Sequence, residues 1–164
     1  MKNLLILSAC ILLAGCDYTA PLVKTPSEDI DKTVVGQWQR ELKESNKSEK
    51  LLVLALDSKE YLVVYSTEHG NTIYARGCLC HAAGLTFVQL KWFGNGQAEA
   101  PDDNRVYQFV GYSVAGNKLT VRMLNPDVVK RDAATSEELA REILAAKDNP
   151  HRFKEEMVFT KANK

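Results

Sequence analysis

The chain reads as a mainly β domain, an antiparallel meander of about eight strands forming a small barrel or half-barrel with one helix before the last strand. From Val34 onward, short apolar runs of strand length alternate with clusters of turn residues. A single stretch near the C-terminus carries helical periodicity with start and stop signals. The run Leu119 to Leu124 alternates cleanly, with Leu119, Val121 and Met123 on one face and Thr120 and Arg122 on the other.

In order, the first run is Val34 to Glu41, followed by a solvated loop, Glu44-Ser45-Asn46-Lys47-Ser48-Glu49. Leu51 to Leu56 turns through Asp57-Ser58-Lys59 into Tyr61 to Thr67, and Glu68-His69-Gly70-Asn71 turns into Thr72 to Cys80. Ala82-Ala83-Gly84 leads to Leu85 to Phe93, and a longer loop, Gly94 to Asn104, precedes Val106 to Val114. The tight turn Ala115-Gly116-Asn117 then delivers Leu119 to Leu124, and Glu156 to Lys161 closes the chain.

The helix lies between the last two runs. Thr135 caps it with Glu138 three residues on, a capping box. Leu139, Ile143 and Ala146, joined by Ala140 and Leu144, make its apolar stripe, and Asn149-Pro150 stops it. Its expected target is the pair Leu51–Leu56 and Tyr61–Tyr65, whose two apolar faces need one cover besides the core.

Composition narrows the function classes. The chain has 21 basic and 21 acidic side chains and no basic block, which argues against nucleic acid as a partner. Residues 34–164 are expected to form a single β-rich domain.

The N-terminal segment differs in kind. Met1-Lys2-Asn3 opens an apolar run, Leu4 to Leu13, too short for the ~20 residues of a membrane-spanning helix and of secretory length. It ends in Leu12-Leu13-Ala14-Gly15-Cys16. These residues closely resemble the lipobox of bacterial lipoprotein precursors. The resemblance implies a signal peptide over residues 1–15, cleavage between Gly15 and Cys16, and a diacylglyceryl group on the Cys16 sulfur. It further implies a membrane-anchored protein; no cofactor is expected beside the covalent lipid on Cys16. Asp17 resembles the residue that retains enteric lipoproteins in the inner membrane, facing the periplasm. Removing 15 of the 164 residues leaves 149 with a net charge of −1, since Lys2 is lost. Two or more acyl chains make such an anchor stable where one does not. Residues 16–33, with Pro21, Pro26 and scattered charges, are expected to be the lipidated Cys and a flexible tether. At seventeen residues the tether spans roughly 20–25 Å on average.

Gly36-Gln37-Trp38 in the first strand, the meander, and a helix before a last strand together resemble the lipocalin-type (calycin) barrel. That resemblance implies a small apolar ligand in the barrel interior. The family's Thr-Asp-Tyr pattern on a later strand is absent.

Chemistry-bearing constellations are few. Of four cysteines, Cys10 leaves with the signal and Cys16 takes the lipid, leaving Cys78 and Cys80. On a strand these two share a face with Cα atoms roughly 6.6 Å apart, at the limit for a disulfide. Buried thiols are the first reading of Cys78-Leu79-Cys80-His81; a strained or redox-active bridge is the second and a metal site the third. No further metal ligands are evident, the other histidines being His69 and His151. Gly111-Tyr112-Ser113-Val114-Ala115 lacks the final Gly of a nucleophile elbow and runs along a strand. Gly94-Asn95-Gly96 and Asp102-Asp103-Asn104 read as turns, not as phosphate or calcium loops. No catalytic pair is fixed by spacing, so an enzyme is the weakest reading.

Two functions remain. The first is a lipid-anchored binding module holding an apolar ligand or a peptide on its concave face. Its support is the aromatic set Trp38, Tyr61, Tyr65, Tyr74, Phe87, Trp92, Tyr107, Phe109 and Tyr112. The second is a structural or adaptor lipoprotein acting through its outer surface on an envelope protein. An eight-stranded barrel is just wide enough to be filled by side chains or to hold one small ligand. The volume left inside discriminates the two, ligand pockets being about 300–1,000 Å³.

Overall fold

A computed structural model of the chain describes residues 18–42, 47–95 and 105–162. Eight strands follow in order: β1 (Gly36–Glu41), β2 (Ser48–Ala55), β3 (Glu60–Ser66), β4 (Thr72–Ala82), β5 (Leu85–Asn95), β6 (Tyr107–Ala115), β7 (Lys118–Met123) and β8 (Met157–Lys161). Each pairs antiparallel with the next, and β8 pairs with β1, so the sheet closes into a barrel. One α-helix, α1 (Ser136–Ala145), stands before β8. The meander and the place of the helix are as the periodicity predicts. β2 starts earlier than the apolar run because the β1–β2 ladder continues through Arg40 opposite Glu49 and Glu41 opposite Ser48.

Alternation along the strands divides the apolar residues into two cores. Inward positions such as Trp38, Val53, Tyr61, Leu90, Val121 and Phe159 fill the barrel. Outward positions on β4 to β6, namely Cys80, Ala82, Phe87 and Phe109, form a second core with Leu139 and Ile143 of α1.

The helix therefore covers β4 to β6, not the expected β2–β3 pair. The cause is the connection. Leu124 N–H donates to Phe109 O at 2.8 Å, and Leu124 bridges Phe153. Both ends of the α1 segment are thus held beside β6, and its stripe reaches only the neighbouring strands. The outer faces of β2 and β3 stay partly open: Leu52 lies opposite Val64 and Leu54 opposite Leu62, with Leu54 41% exposed.

Residues 18–34 also depart from expectation. They are not a free tether but a strap packed along the barrel. Tyr18 is 0% exposed, exchanges backbone hydrogen bonds with Tyr107 at 3.1 and 3.0 Å, and sets its ring edge-on to Phe109. The Gln89 amide then clasps the chain: Leu22 N–H and Val23 N–H donate to its Oε1 at 2.7 and 3.0 Å, and its Nε2 donates to Val23 O at 2.8 Å. Farther on, Glu28 meets His81 at 2.6 Å, Asp29 meets Lys59 at 2.8 Å, and Ile30 N–H donates to Ser58 O at 3.0 Å. The strap thus crosses β6, β5 and β4 from one end of the barrel to the other. A short 3₁₀-helix, Lys32–Val34, ends it, and Gly36 at φ +143° makes the turn into β1.

At α1, Thr135 Oγ1 accepts from Glu138 N–H at 3.1 Å and Glu138 Oε2 accepts from Ala134 N–H at 2.9 Å. The box closes one residue earlier than its ideal form but still occupies two terminal donors. Ile143 lies 1% exposed at the centre of the stripe. Ile143→Ala is expected to lower stability by about 2–5 kcal/mol in denaturant unfolding. A loss within about 0.5 kcal/mol would mark the site as ordinary surface.

Candidate functional site: the barrel interior

The two ends of the barrel differ. At the end bearing the β2–β3, β4–β5 and β6–β7 turns, the strap tucks under the strands with Ile30 and Val34 in the inner core. Asp31 is the polar knot of this plug. Its N–H donates to the Tyr61 hydroxyl at 2.6 Å, Tyr61 donates to Asp31 O at 3.2 Å, and Tyr112 donates to Asp31 Oδ2 at 3.1 Å. Burial pushes the Asp31 carboxyl up, but hydrogen bonds from Thr33 and Tyr112 outweigh it and leave the group below its usual value. Burial also raises the Tyr61 hydroxyl to about 12.

Between this plug and the other end runs a cavity of about 160 Å³. Val34 lines it at the plug, and Tyr65, Ile73, Trp92, Gln108, Met123 and Met157 line it toward the opposite end. The wall between is apolar, largely Val and Leu from β2 to β7. Leu119, Val121 and Met123, the face marked by alternation, all line it. Of the aromatic set, Tyr61, Tyr65, Trp92 and Tyr112 line the cavity, while Trp38 packs in the same inner core. Phe87, Tyr107 and Phe109 belong to the outer core, and Tyr74 stacks on Phe93, which is 49% exposed.

Polar groups on the inner face gather away from the plug. Gln108 is 0% exposed, and neither atom of its amide has a hydrogen-bond partner; the Trp92 indole N–H has none either. Arg40 and Glu49, cross-strand neighbours, meet at 2.9 Å between Nε and Oε2, although the angle is too poor for a hydrogen bond. Burial first, and the Glu49 carboxylate second, hold the Tyr65 hydroxyl above its ordinary range. The sequence reading missed Gln108, Arg40 and Glu49. A signal existed for Gln108: on the face Val106, Gln108, Val110, Tyr112, Val114 it is the lone amide among apolar and aromatic side chains.

The other candidates lie outside this site. Cys78 and Cys80 share the outward face of β4, and both are buried free thiols. Gln89 Nε2 approaches Cys78 Sγ at 3.8 Å. His81 is exposed, held between Glu28 and the Thr86 hydroxyl at 2.6 and 3.1 Å. That chain has the order of a nucleophile, a base and an acid, but it sits on a hairpin with the His81 and Glu28 side chains 52% and 41% exposed. Ser113 is an exposed residue of β6 leading into the β6–β7 turn. Among the described residues no three His, Cys, Asp or Glu side chains cluster as metal ligands do. Gly15, Cys16, Asp17, Gly96 and Asp102-Asp103-Asn104 lie outside the described residues.

Burial pushes the Cys78 thiol up to about 11 and Cys80 to about 12. A raised pKa disfavours the reactive thiolate in the folded state, to about one part in a thousand for Cys78 at pH 8. Alkylation at that pH is expected to be at least a hundredfold slower in the native chain than in the unfolded one. Mass spectrometry after timed labelling reads this directly, and native labelling at the unfolded rate contradicts it.

Comparison with known proteins finds no matching family model, no matching characterised protein and no matching solved structure.

Proposed function

We propose that this chain is a membrane-anchored envelope lipoprotein whose barrel binds a small apolar ligand. The observation that carries the binding half is the cavity of about 160 Å³ with an almost wholly apolar wall inside a closed barrel. It is smaller than the ~300–1,000 Å³ of a drug-sized pocket. It matches the ~150 Å³ of an engineered apolar cavity that stays dry and takes benzene. The volume suits a small molecule, or one segment of a larger one, and is too narrow for a peptide strand. The lipocalin-like reading of Gly36-Gln37-Trp38 is in keeping with an interior ligand.

The anchor half rests on the lipobox residues before Cys16. With Cys16 lipidated, the periplasmic face of the inner membrane is the favoured location through Asp17. The strap changes what such an anchor does. Tyr18 is bonded to Tyr107 at the end of the barrel away from the plug. Two extended residues reach at most about 7 Å. A lipid on Cys16 would hold that end against the headgroups instead of letting the domain float 20–25 Å clear.

A second reading, an adaptor working through its outer surface, is favoured by the open apolar strip of Leu52, Leu54, Leu62 and Val64 on β2 and β3.

One measurement decides between these and a second tests the anchor they share. Val121→Phe fills the cavity from a lining position. It is expected to abolish binding of benzene to the full chain while leaving the unfolding midpoint within a few degrees. Unchanged benzene binding, or none in the wild type, would favour the adaptor. Labelled palmitate is expected to enter the wild type and not Cys16→Ala; equal labelling of both sinks the anchor.

A further inference from the structure

Native structures nearly always give a buried amide a hydrogen-bonding partner. In this barrel Gln108 and Trp92 break that rule together. Gln108 is 0% and Trp92 8% exposed, all three of their side-chain polar atoms are unpartnered, and both residues line the cavity. Leu90 pairs directly with Gln108, and Trp92 lies two residues beyond Leu90 on the same inner face. The two side chains are therefore diagonal neighbours, roughly 7–8 Å apart along the backbone and somewhat closer between β-carbons. One small polar group placed between them can reach both.

Resting on the reading of the cavity as a ligand site, we infer that its ligand is an uncharged amphiphile with one hydroxyl or carboxamide group bonded to Gln108 and Trp92. The bonding inventory selects this class. Trp92 offers one donor, and Gln108 offers two donors and an acceptor. A carboxamide can meet all three atoms at once, and a hydroxyl meets Trp92 together with whichever end of the Gln108 amide is turned toward it. An alkane satisfies neither residue. A carboxylate only accepts, so it can meet Trp92 and the Gln108 NH2 but never the Gln108 oxygen, and it brings a charge into an apolar space. The inward-facing charges Arg40 and Glu49 already neutralise each other at 2.9 Å. The apolar body that fits is about the size of benzene. Gln108 follows Tyr107, the residue that holds Tyr18, so the polar group sits at the barrel end that the proposed anchor brings to the bilayer. Amphiphiles partition into that bilayer.

The test uses the full chain, ¹⁵N-labelled and reconstituted in nanodiscs, titrated in turn with 1-hexanol, cyclohexane and hexanoate at pH 8. The chain has two tryptophans, and Trp38 already donates to Val34 O at 2.8 Å, so its indole N–H resonance is an internal reference. Hexanol is expected to move the Trp92 resonance downfield to saturation while Trp38 stays in place. Cyclohexane is expected to bind without that shift, and hexanoate at least tenfold more weakly than hexanol. Gln108→Leu removes the amide at nearly constant volume. It is expected to weaken hexanol roughly five- to tenfold and leave cyclohexane unchanged. Equal hexanol affinity in wild type and variant, with an unmoved Trp92 resonance, would mean the two groups hold only ordered water and overturns the inference. Hexanoate binding tighter than hexanol overturns the uncharged head. Should Gln108→Leu fail to fold, the wild-type Trp92 shift and the hexanol-to-hexanoate ratio still decide. Cyclohexane binding without any preference for hexanol sinks this inference alone; no binding of any probe removes the ligand-site reading beneath it.

Discussion

Closure of the sheet rests on a narrow seam. β1 and β8 share two register pairs, Trp38 with Lys161 and Gln39 with Thr160, against ten between β4 and β5. Side chains and flanking backbone reinforce it. The Trp38 indole donates to Val34 O at 2.8 Å, and the Lys161 ammonium lies 5.1 Å from the centre of the Trp38 ring. Lys161 N–H donates to Asn117 O at 2.7 Å, and Ala162 N–H donates to Gln37 O at 2.9 Å. Trp38 thus joins three things that must coincide for a barrel to exist: the plug, the first strand and the last. Without the seam, β1 and β8 become open edges and the interior opens to solvent.

Closure creates an interior that the side chains do not fill. Eight strands leave space for packed residues or for one small guest. Here the wall positions between plug and far end are mostly Val and Leu. A volume of 160 Å³ that side chains leave unfilled would cost about 4 kcal/mol if nothing else occupied it. An amide left unbonded there would add a desolvation cost of about 1–3 kcal/mol. Both concessions fall in the same place, although larger inner side chains and an apolar residue at 108 would remove them. Departures from packing and polar satisfaction that coincide at one spot are where function is sought first.

What could be read from the sequence follows the range of the physics. Strands and helix are local: alternation at Leu119–Met123 and the Thr135/Glu138 box show in a few residues, and both reappear in place. The common outward face of Cys78 and Cys80 follows from period two alone. The helix target could not be read this way. β2 and β3 are apolar on both faces, but so are β4 to β6 around Phe87 and Phe109, and the choice depends on where the chain leaves β7 at Leu124, bonded to Phe109 of β6. The strap was hidden for a stronger reason. Its partners lie far along the chain: Gln89 is 66 residues from Val23, and Ala133 is 114 from Thr19. No periodic pattern marks a segment that lies on a surface by one clasp, one ring and one knot. Cavity volume is a difference between a barrel's size and its contents, and no single strand carries it.

The strap makes the two barrel ends interdependent. One continuous segment bonds Tyr107 beside Gln108 at the far end, passes the Gln89 clasp, and closes the near end through Asp31. A tether that ran free would leave the plug to form by itself and would tell the barrel nothing about its orientation. A docked strap does both from one set of contacts. The same burial that holds Tyr18 and Ile30 sets which end is shut and which end carries Tyr18. In an anchored form, the end that the strap does not plug is then the end nearest the bilayer. A small amphiphile passing between membrane and cavity would have the shortest path there, with its polar group meeting Gln108 and Trp92 and its apolar body running inward along the Val and Leu wall.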